Sequence, residues 1–77
     1  MPRYFLHIDE LKTDPEGTHL PDLEAARREA LLSAREMLAE WIACGVEDIP
    51  TSIVISDEAG NVLAVVHMRE VLPRALR

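Results

Sequence analysis

Cysteine is scarce in this sequence, and Cys44 is the only one among 77 residues. No disulfide can form within the chain, so packing must hold the fold together, as is usual in a reducing cytoplasm. Long apolar runs are missing as well, which argues against a signal sequence and a membrane span. We therefore expect a soluble, cytoplasmic protein.

Basic residues are also few. Eight lysines and arginines stand against 14 acidic residues, and the formal net charge is −6. A negatively charged chain is at a disadvantage beside the phosphates of a nucleic acid. No glycine-rich loop followed by lysine offers a cradle for a phosphate group. Nucleic acid is therefore not an expected partner.

Hydrophobic residues, by contrast, make up 48% of the chain and charged residues 29%. This balance is typical of a folded globular protein and not of a disordered one. A chain this short buries only about 60% of the surface that its unfolded form exposes, which is too little to divide between two cores. We expect one small domain over residues 1–77.

Four segments have the composition of β-strands. Tyr4–Ile8 is aromatic and apolar, and the turn sequence that follows it, within Asp9–Gly17, predicts a hairpin with a short second arm over residues 17–20. Two further β-rich runs, Thr51–Ser56 and Val62–Met68, are separated by a short loop containing a glycine. Such a loop predicts a second hairpin.

Between the hairpins the apolar period changes from two residues to 3.6, which predicts one long helix. Either Pro21 is its first residue or Asp22 is its cap, and Gly45 ends it. Its small side chains would let the helix approach a sheet closely, while larger ones fill the far end. The face expected to be buried consists of Leu23, Ala26, Ala30, Ala34, Met37, Leu38, Trp41 and Cys44.

The element order β-β-α-β-β predicts a two-layer α+β fold in which one long helix lies on one face of an antiparallel sheet of three to four strands. The other sheet face would meet either water or another molecule, so we expect dimerisation through it. The sheet residues expected on this interaction surface are Phe5, His7, Val54 and Val66, with Ala64 and Met68 as further candidates.

A second candidate surface is the side of the helix opposite its buried face, where Ala25, Leu32, Ala39 and Ala43 recur. A partner helix could dock there, with Leu32 and Ala39 at its centre. Alanine is also common on exposed helices because of its high helix propensity, and the favoured interpretation of these residues is that they are good helix formers.

Three stretches, "MPRYFLH", "DPEGTHLPDLEAARREALLSARE" and "ISDEAGNVLAVV", carry a resemblance over nearly the whole chain. The sequence resembles an uncharacterised family of small proteins from soil alphaproteobacteria of the rhizobial type, a domain of unknown function. That resemblance implies no activity and no catalytic residue. A weaker similarity, in the Leu-Pro-Asp-Leu segment and its helix, is to the amino-terminal domain of HicB-type antitoxins, and it implies a protein partner.

Residues able to carry chemistry are sparse. If the first and last strands paired, His7 and His67 would be cross-strand neighbours, yet two histidines without placed carboxylates make an incomplete metal site. Cys44 lies at the negative end of the helix dipole, where a thiolate is disfavoured. We assign no catalytic residue, cofactor or metal, and expect a non-enzymatic interaction module, with an antitoxin-like regulator as the alternative.

Overall fold

The computed structural model describes residues 1–8 and 16–77. Its regular elements are β1 (Arg3–Ile8), β2 (Thr18–His19), α1 (Leu23–Ala43), β3 (Ser52–Ser56) and β4 (Val62–His67). Two short 3-10 turns, Met68–Val71 and Arg74–Leu76, follow β4. The predicted α+β class and element order are confirmed, while most of the predicted turn over Asp9–Gly17 lies outside the described residues.

The four strands form one antiparallel sheet in the order β2-β1-β3-β4. The chain leaves the first hairpin at one edge of the sheet, crosses it as α1 and returns with β3 on the far side of β1. Because β3 lies between β1 and β4, the first and last strands do not pair. The hypothesis that made His7 and His67 cross-strand neighbours is therefore wrong.

Both ends of α1 follow from local chemistry. The Asp22 carboxylate accepts a hydrogen bond of 2.9 Å from the Ala25 N–H, so Asp22 is the cap and Pro21 precedes the helix. At the other end Gly45 has a φ of +71°, which favours glycine. There the Gly45 N–H donates to the Ile42 carbonyl, and the next N–H bonds back to the last turn.

The core lies between α1 and one face of the sheet. Ala26, Ala30 and Ala34 have no exposed surface, and they pack with Ile53, Ile55 and Val66, which are also fully buried. Around this centre the partly buried Leu23, Met37 and Trp41 fill the rim. Methyl side chains on the helix and branched ones on the sheet thus let the two layers approach closely.

Two expectations about α1 are wrong. Cys44 is exposed, because it is the residue that caps the helix after its last turn and no longer faces the sheet. Ala25, which was expected on the outer side, is 7% exposed. In its first turn, the buried face of α1 is therefore wider than the apolar period predicts.

The expected exposure of Val66 is also wrong. Val66 pairs with Ile53 and Ala64 with Ile55, and cross-strand partners lie on the same face of a sheet. These residues therefore face α1, and Val66 has no exposed surface. Met68 is likewise buried, with 4% exposure.

Candidate interaction surface

The sheet face that α1 leaves uncovered, called the open face below, contains every second strand residue. Phe5 pairs with Ser56, His7 with Val54, and Val54 in turn with Val65, so these side chains share one side of the sheet. The strand residues of the open face are Arg3, Phe5, His7, His19, Ser52, Val54, Ser56, Val62, Val65 and His67.

His7 is held in place on two sides. Its ring stacks on Phe5 with the centroids 6.5 Å apart and 6° between the planes. Its Nε2 atom shares a hydrogen bond of 3.0 Å with the Ser56 hydroxyl. Ser56 is only 4% exposed. The imidazole therefore gives this nearly buried hydroxyl a hydrogen-bond partner.

Arg3 and His19 join β1 to the short strand β2 on the same face. The Arg3 guanidinium donates to His19 Nε2, with Nη2 at 3.2 Å, and His19 Nδ1 donates to the Met1 carbonyl at 3.2 Å. Beside them Gly17 has a φ of +70°, and a Cβ built on it would lie 2.7 Å from Arg3 Cγ and 2.9 Å from Phe5 Cε2. The bare glycine backbone therefore leaves room for Arg3 and Phe5.

The ionisable strand residues of the open face are all basic: Arg3 and the three histidines of the chain. On the count that gives the whole protein a formal charge of −6, with histidine neutral, Arg3 is the one charged strand residue of this face. Sequence reasoning considered His7 and His67 as a pair and did not place His19 with them. Only the registers of three strand pairs bring these residues to one side.

The three histidines lie on three different strands of the open face. His7 lies on β1 and His67 on β4, so two strand spacings of about 4.8 Å each separate their backbones. His19, on β2, accepts a hydrogen bond from the Arg3 guanidinium on β1. Within residues 1–8 and 16–77, no group of three histidine, cysteine or acidic side chains is placed to hold a metal ion.

The apolar part of the open face includes Phe5, Val54, Val65 and, beside Ser56, Val62. Phe5 and Val54 are partly exposed, and Val65 is 39% exposed. Sequence reasoning missed Val65 because it placed Ala64, Val66 and Met68 on the open face, which is the opposite phase of the alternation along β4. The pairing of Val66 with the buried Ile53, and of Val65 with Val54, sets the observed phase.

The outer side of α1 presents less apolar surface. Leu32 is 51% exposed and Ala39 is exposed, whereas Ala25, at the start of the same stripe, is buried. On its flank Arg27 lies 3.8 Å from a Glu70 carboxylate oxygen. Leu32 is thus the single large apolar side chain of this stripe, which favours the explanation that its alanines are helix formers.

A groove of about 480 Å³ lies where the end of α1 meets the segments before β3 and after β4. Its lining is mostly apolar, with a hydroxyl and two basic side chains at the rim. The lining residues are Leu38, Ile49, Pro50, Thr51, His67, Met68, Arg69 and Leu72. It contains no arrangement of nucleophile, base and carboxylate, since none of these eight side chains is acidic.

Fold and surface together define a small two-layer α+β domain whose sheet is covered on one side and mixed basic and apolar on the other. The chain belongs to the family described as Domain of unknown function (DUF6894), whose model matches residues 3–69. This match confirms the expected membership in a family of unknown function. No curated protein and no solved structure matches the chain. None of the helices in the described part is long and apolar enough to cross a membrane.

Proposed function

We propose that this protein is a small, non-enzymatic interaction module that associates with a second copy through the open face. The observation that supports it is the one-sided sheet: α1 covers one face, and Phe5, Val54 and Val65 remain accessible on the other. Apolar side chains gathered on an uncovered sheet face are a common feature of protein–protein contacts. Burying them against the same residues of a second copy would remove them from water.

The chemistry of the open face supports a role without catalysis. His7 and Ser56 are within hydrogen-bonding distance, as a base and a nucleophile would be, but the other neighbour of the imidazole is the Phe5 ring. A catalytic pair of this kind needs a third group that orients the base, usually a carboxylate. Ser56 is also nearly buried, so a substrate would have poor access to its hydroxyl.

An antitoxin-like regulator that covers another protein is the second candidate. The strand residues of the open face include Arg3 and three histidines and no acidic side chain, so an acidic partner surface would complement it. Both candidates use the same face, and they differ in the identity of the partner.

Sedimentation velocity on the purified protein tests self-association. We expect a dimer at micromolar concentration for the wild type and a monomer for Val54→Lys, because the lysine places an uncompensated charge at the centre of the buried face. Leu32→Lys is the matched control: it adds the same charge to an equally apolar residue on the outer side of α1, and it should remain dimeric.

A monomeric wild type at micromolar concentration would contradict self-association. A monomeric Leu32→Lys with a dimeric Val54→Lys would instead place the contact on the helix. The second candidate is tested by affinity capture from the native host: one protein recovered in stoichiometric amount by the wild type, and lost with Val54→Lys, would favour it.

A further inference from the structure

The groove at the end of α1 has an apolar lining to which the helix and the sheet both contribute. Its buried lining residues are Leu38 of α1, Pro50 before β3 and Met68 after β4. The partly exposed Ile49 and Leu72 complete the apolar lining. Its volume of about 480 Å³ lies within the roughly 300–1,000 Å³ typical of small-molecule sites, which are also mostly apolar. The groove therefore has the size and lining to hold the apolar part of a small molecule.

Hydrogen bonds hold the segments around the groove together. The Met68 N–H donates to the Thr51 carbonyl at 2.8 Å, which joins the segment after β4 to the segment before β3. The Leu72 N–H donates to the Arg69 carbonyl at 3.2 Å, and Arg77 Nε donates to the Leu72 carbonyl at 3.1 Å. The groove is thus preformed, and a ligand would lose little affinity to the ordering of these segments.

The polar side chains of the groove can all donate a hydrogen bond to an anion. Thr51 supplies a hydroxyl, His67 an imidazole and Arg69 a guanidinium, which is positively charged at every physiological pH. None of the eight lining residues is acidic, and the nearby Glu47 and Asp48 are exposed and lie outside the lining. Within residues 1–8 and 16–77 the Arg69 guanidinium forms no hydrogen bond or ion pair. Its charge is therefore available to a ligand.

Glu70, the acidic residue next to Arg69, is directed away from the groove. Its Oε2 atom accepts a hydrogen bond of 2.7 Å from the His67 N–H, and its Oε1 atom lies 3.8 Å from the Arg27 guanidinium. At about 1.5 Å per residue, Arg27 lies about 16 Å before Leu38 along the axis of α1. The Glu70 carboxylate thus has other partners and does not neutralise Arg69.

We propose that the groove binds a small apolar carboxylate, with its hydrocarbon part against Leu38 and Met68 and its carboxylate beside Arg69. The observation that favours an anion is a polar lining of donors only, in a chain whose net charge is −6. A guanidinium forms strong charge-assisted hydrogen bonds with a carboxylate, and the apolar lining removes the hydrocarbon from water. Arg69 follows β4 and is not a residue of the open face, so this site does not depend on self-association.

Titration of the wild type with octanoate, followed in its amide NMR spectrum, tests the site. Octanol is the matched ligand, because it has the same chain length and no charge. We expect saturable octanoate binding at about millimolar concentration or below, and octanol binding that is at least about fivefold weaker because the charged contact is missing. The largest shifts should occur at the amides that line the groove: Leu38, Ile49, Thr51, Met68, Arg69 and Leu72.

Arg69→Gln is the variant that tests the anion contact. It removes the charge of an exposed side chain, so the protein should remain folded, as judged by circular dichroism. We expect its octanoate affinity to fall by at least about fivefold and its octanol affinity to stay unchanged. Arg28→Gln is the matched control: it removes the same charge from an exposed residue near the start of α1, and it should bind octanoate like the wild type.

Equal affinities of the wild type for octanoate and octanol would overturn the proposal, and so would unchanged octanoate binding by Arg69→Gln. The absence of saturable binding at millimolar octanoate, or shifts confined to the open face, would overturn it as well. Sedimentation of the same samples separates this proposal from self-association. A monomer that binds octanoate contradicts self-association alone, and a dimer that does not bind it contradicts the groove site alone.

Discussion

At the scale of single residues, Asp57 shows how one side chain organises a hairpin. Its carboxylate accepts hydrogen bonds of 2.9 Å from the N–H groups of Ala59 and Asn61, and Asn61 Nδ2 donates to it at 3.1 Å. The backbone N–H of Asn61, followed by its side-chain amide, holds the pKa of Asp57 below its usual range. The ionised carboxylate is thus the form that the β3–β4 turn binds.

This arrangement predicts an acid-sensitive contribution to stability. Because the pKa of Asp57 is lowered in the folded state, its contribution is present above the ordinary aspartate pKa, about 4, and is lost as the pH falls through the lowered value. The free energy of unfolding of Asp57→Asn should therefore lie below that of the wild type at neutral pH and approach it in acid.

Urea unfolding at a series of pH values measures this difference. Glu58→Gln is the control, since it removes a charge from the adjacent exposed residue. If the free energies of unfolding of the wild type and Asp57→Asn differed by the same amount at neutral and acid pH, the ionisation of Asp57 would not be involved.

At the scale of elements, the spacing between α1 and the sheet is set by small side chains. Ala26, Ala30 and Ala34 have no exposed surface, and they leave no room for longer residues. The same helix bears Ala39 on its exposed side, where a longer side chain would meet solvent. Alanine therefore has two roles in α1: on the buried side it sets the distance to the sheet, and on the exposed side it is a good helix former.

Ala30→Leu should destabilise the protein by about 1–3 kcal/mol, because the added carbon atoms must displace α1 or distort side chains of the sheet. Chemical denaturation followed by far-ultraviolet circular dichroism would measure it. Ala39→Leu makes the same change on the exposed side and should alter stability by less than about 0.5 kcal/mol. Equal effects of the two changes would mean that the helix does not lie as described.

At the scale of the whole molecule, partly buried residues cover the core near the C-terminal end of α1. Met37 and Trp41 pack against the buried cluster, and their outer surfaces remain accessible. In a protein of 77 residues, few side chains contribute to the buried apolar surface. Each large one therefore accounts for a substantial part of the stability.

Trp41→Ala is expected to lower the free energy of unfolding by about 2 kcal/mol, less than the roughly 3–5 kcal/mol typical of a fully buried tryptophan. Equilibrium urea unfolding gives the value. Ile42→Ala, one residue further along α1 and 64% exposed, is the comparison and should be nearly neutral. Near-native stability of Trp41→Ala would show that the tryptophan closes no part of the core.

Much of the local structure was determined by the sequence alone. The ends of α1 were predictable because Asp22 and Gly45 act on their own nearest turns, through a side-chain cap and a positive φ. The β3–β4 hairpin follows from turn chemistry within a few residues. The element order, and with it the α+β class, depends on such short-range preferences.

The tertiary structure decided which residues share a surface. That Val66 is buried and Val65 exposed depends on which face of the β3–β4 hairpin packs against α1, a contact that the sequence of the hairpin does not itself specify. The separation of His7 from His67 likewise follows from β3 lying between their strands. Strand order and register are set by which long-range pairings bury the most apolar surface, and no local pattern in the sequence specifies them.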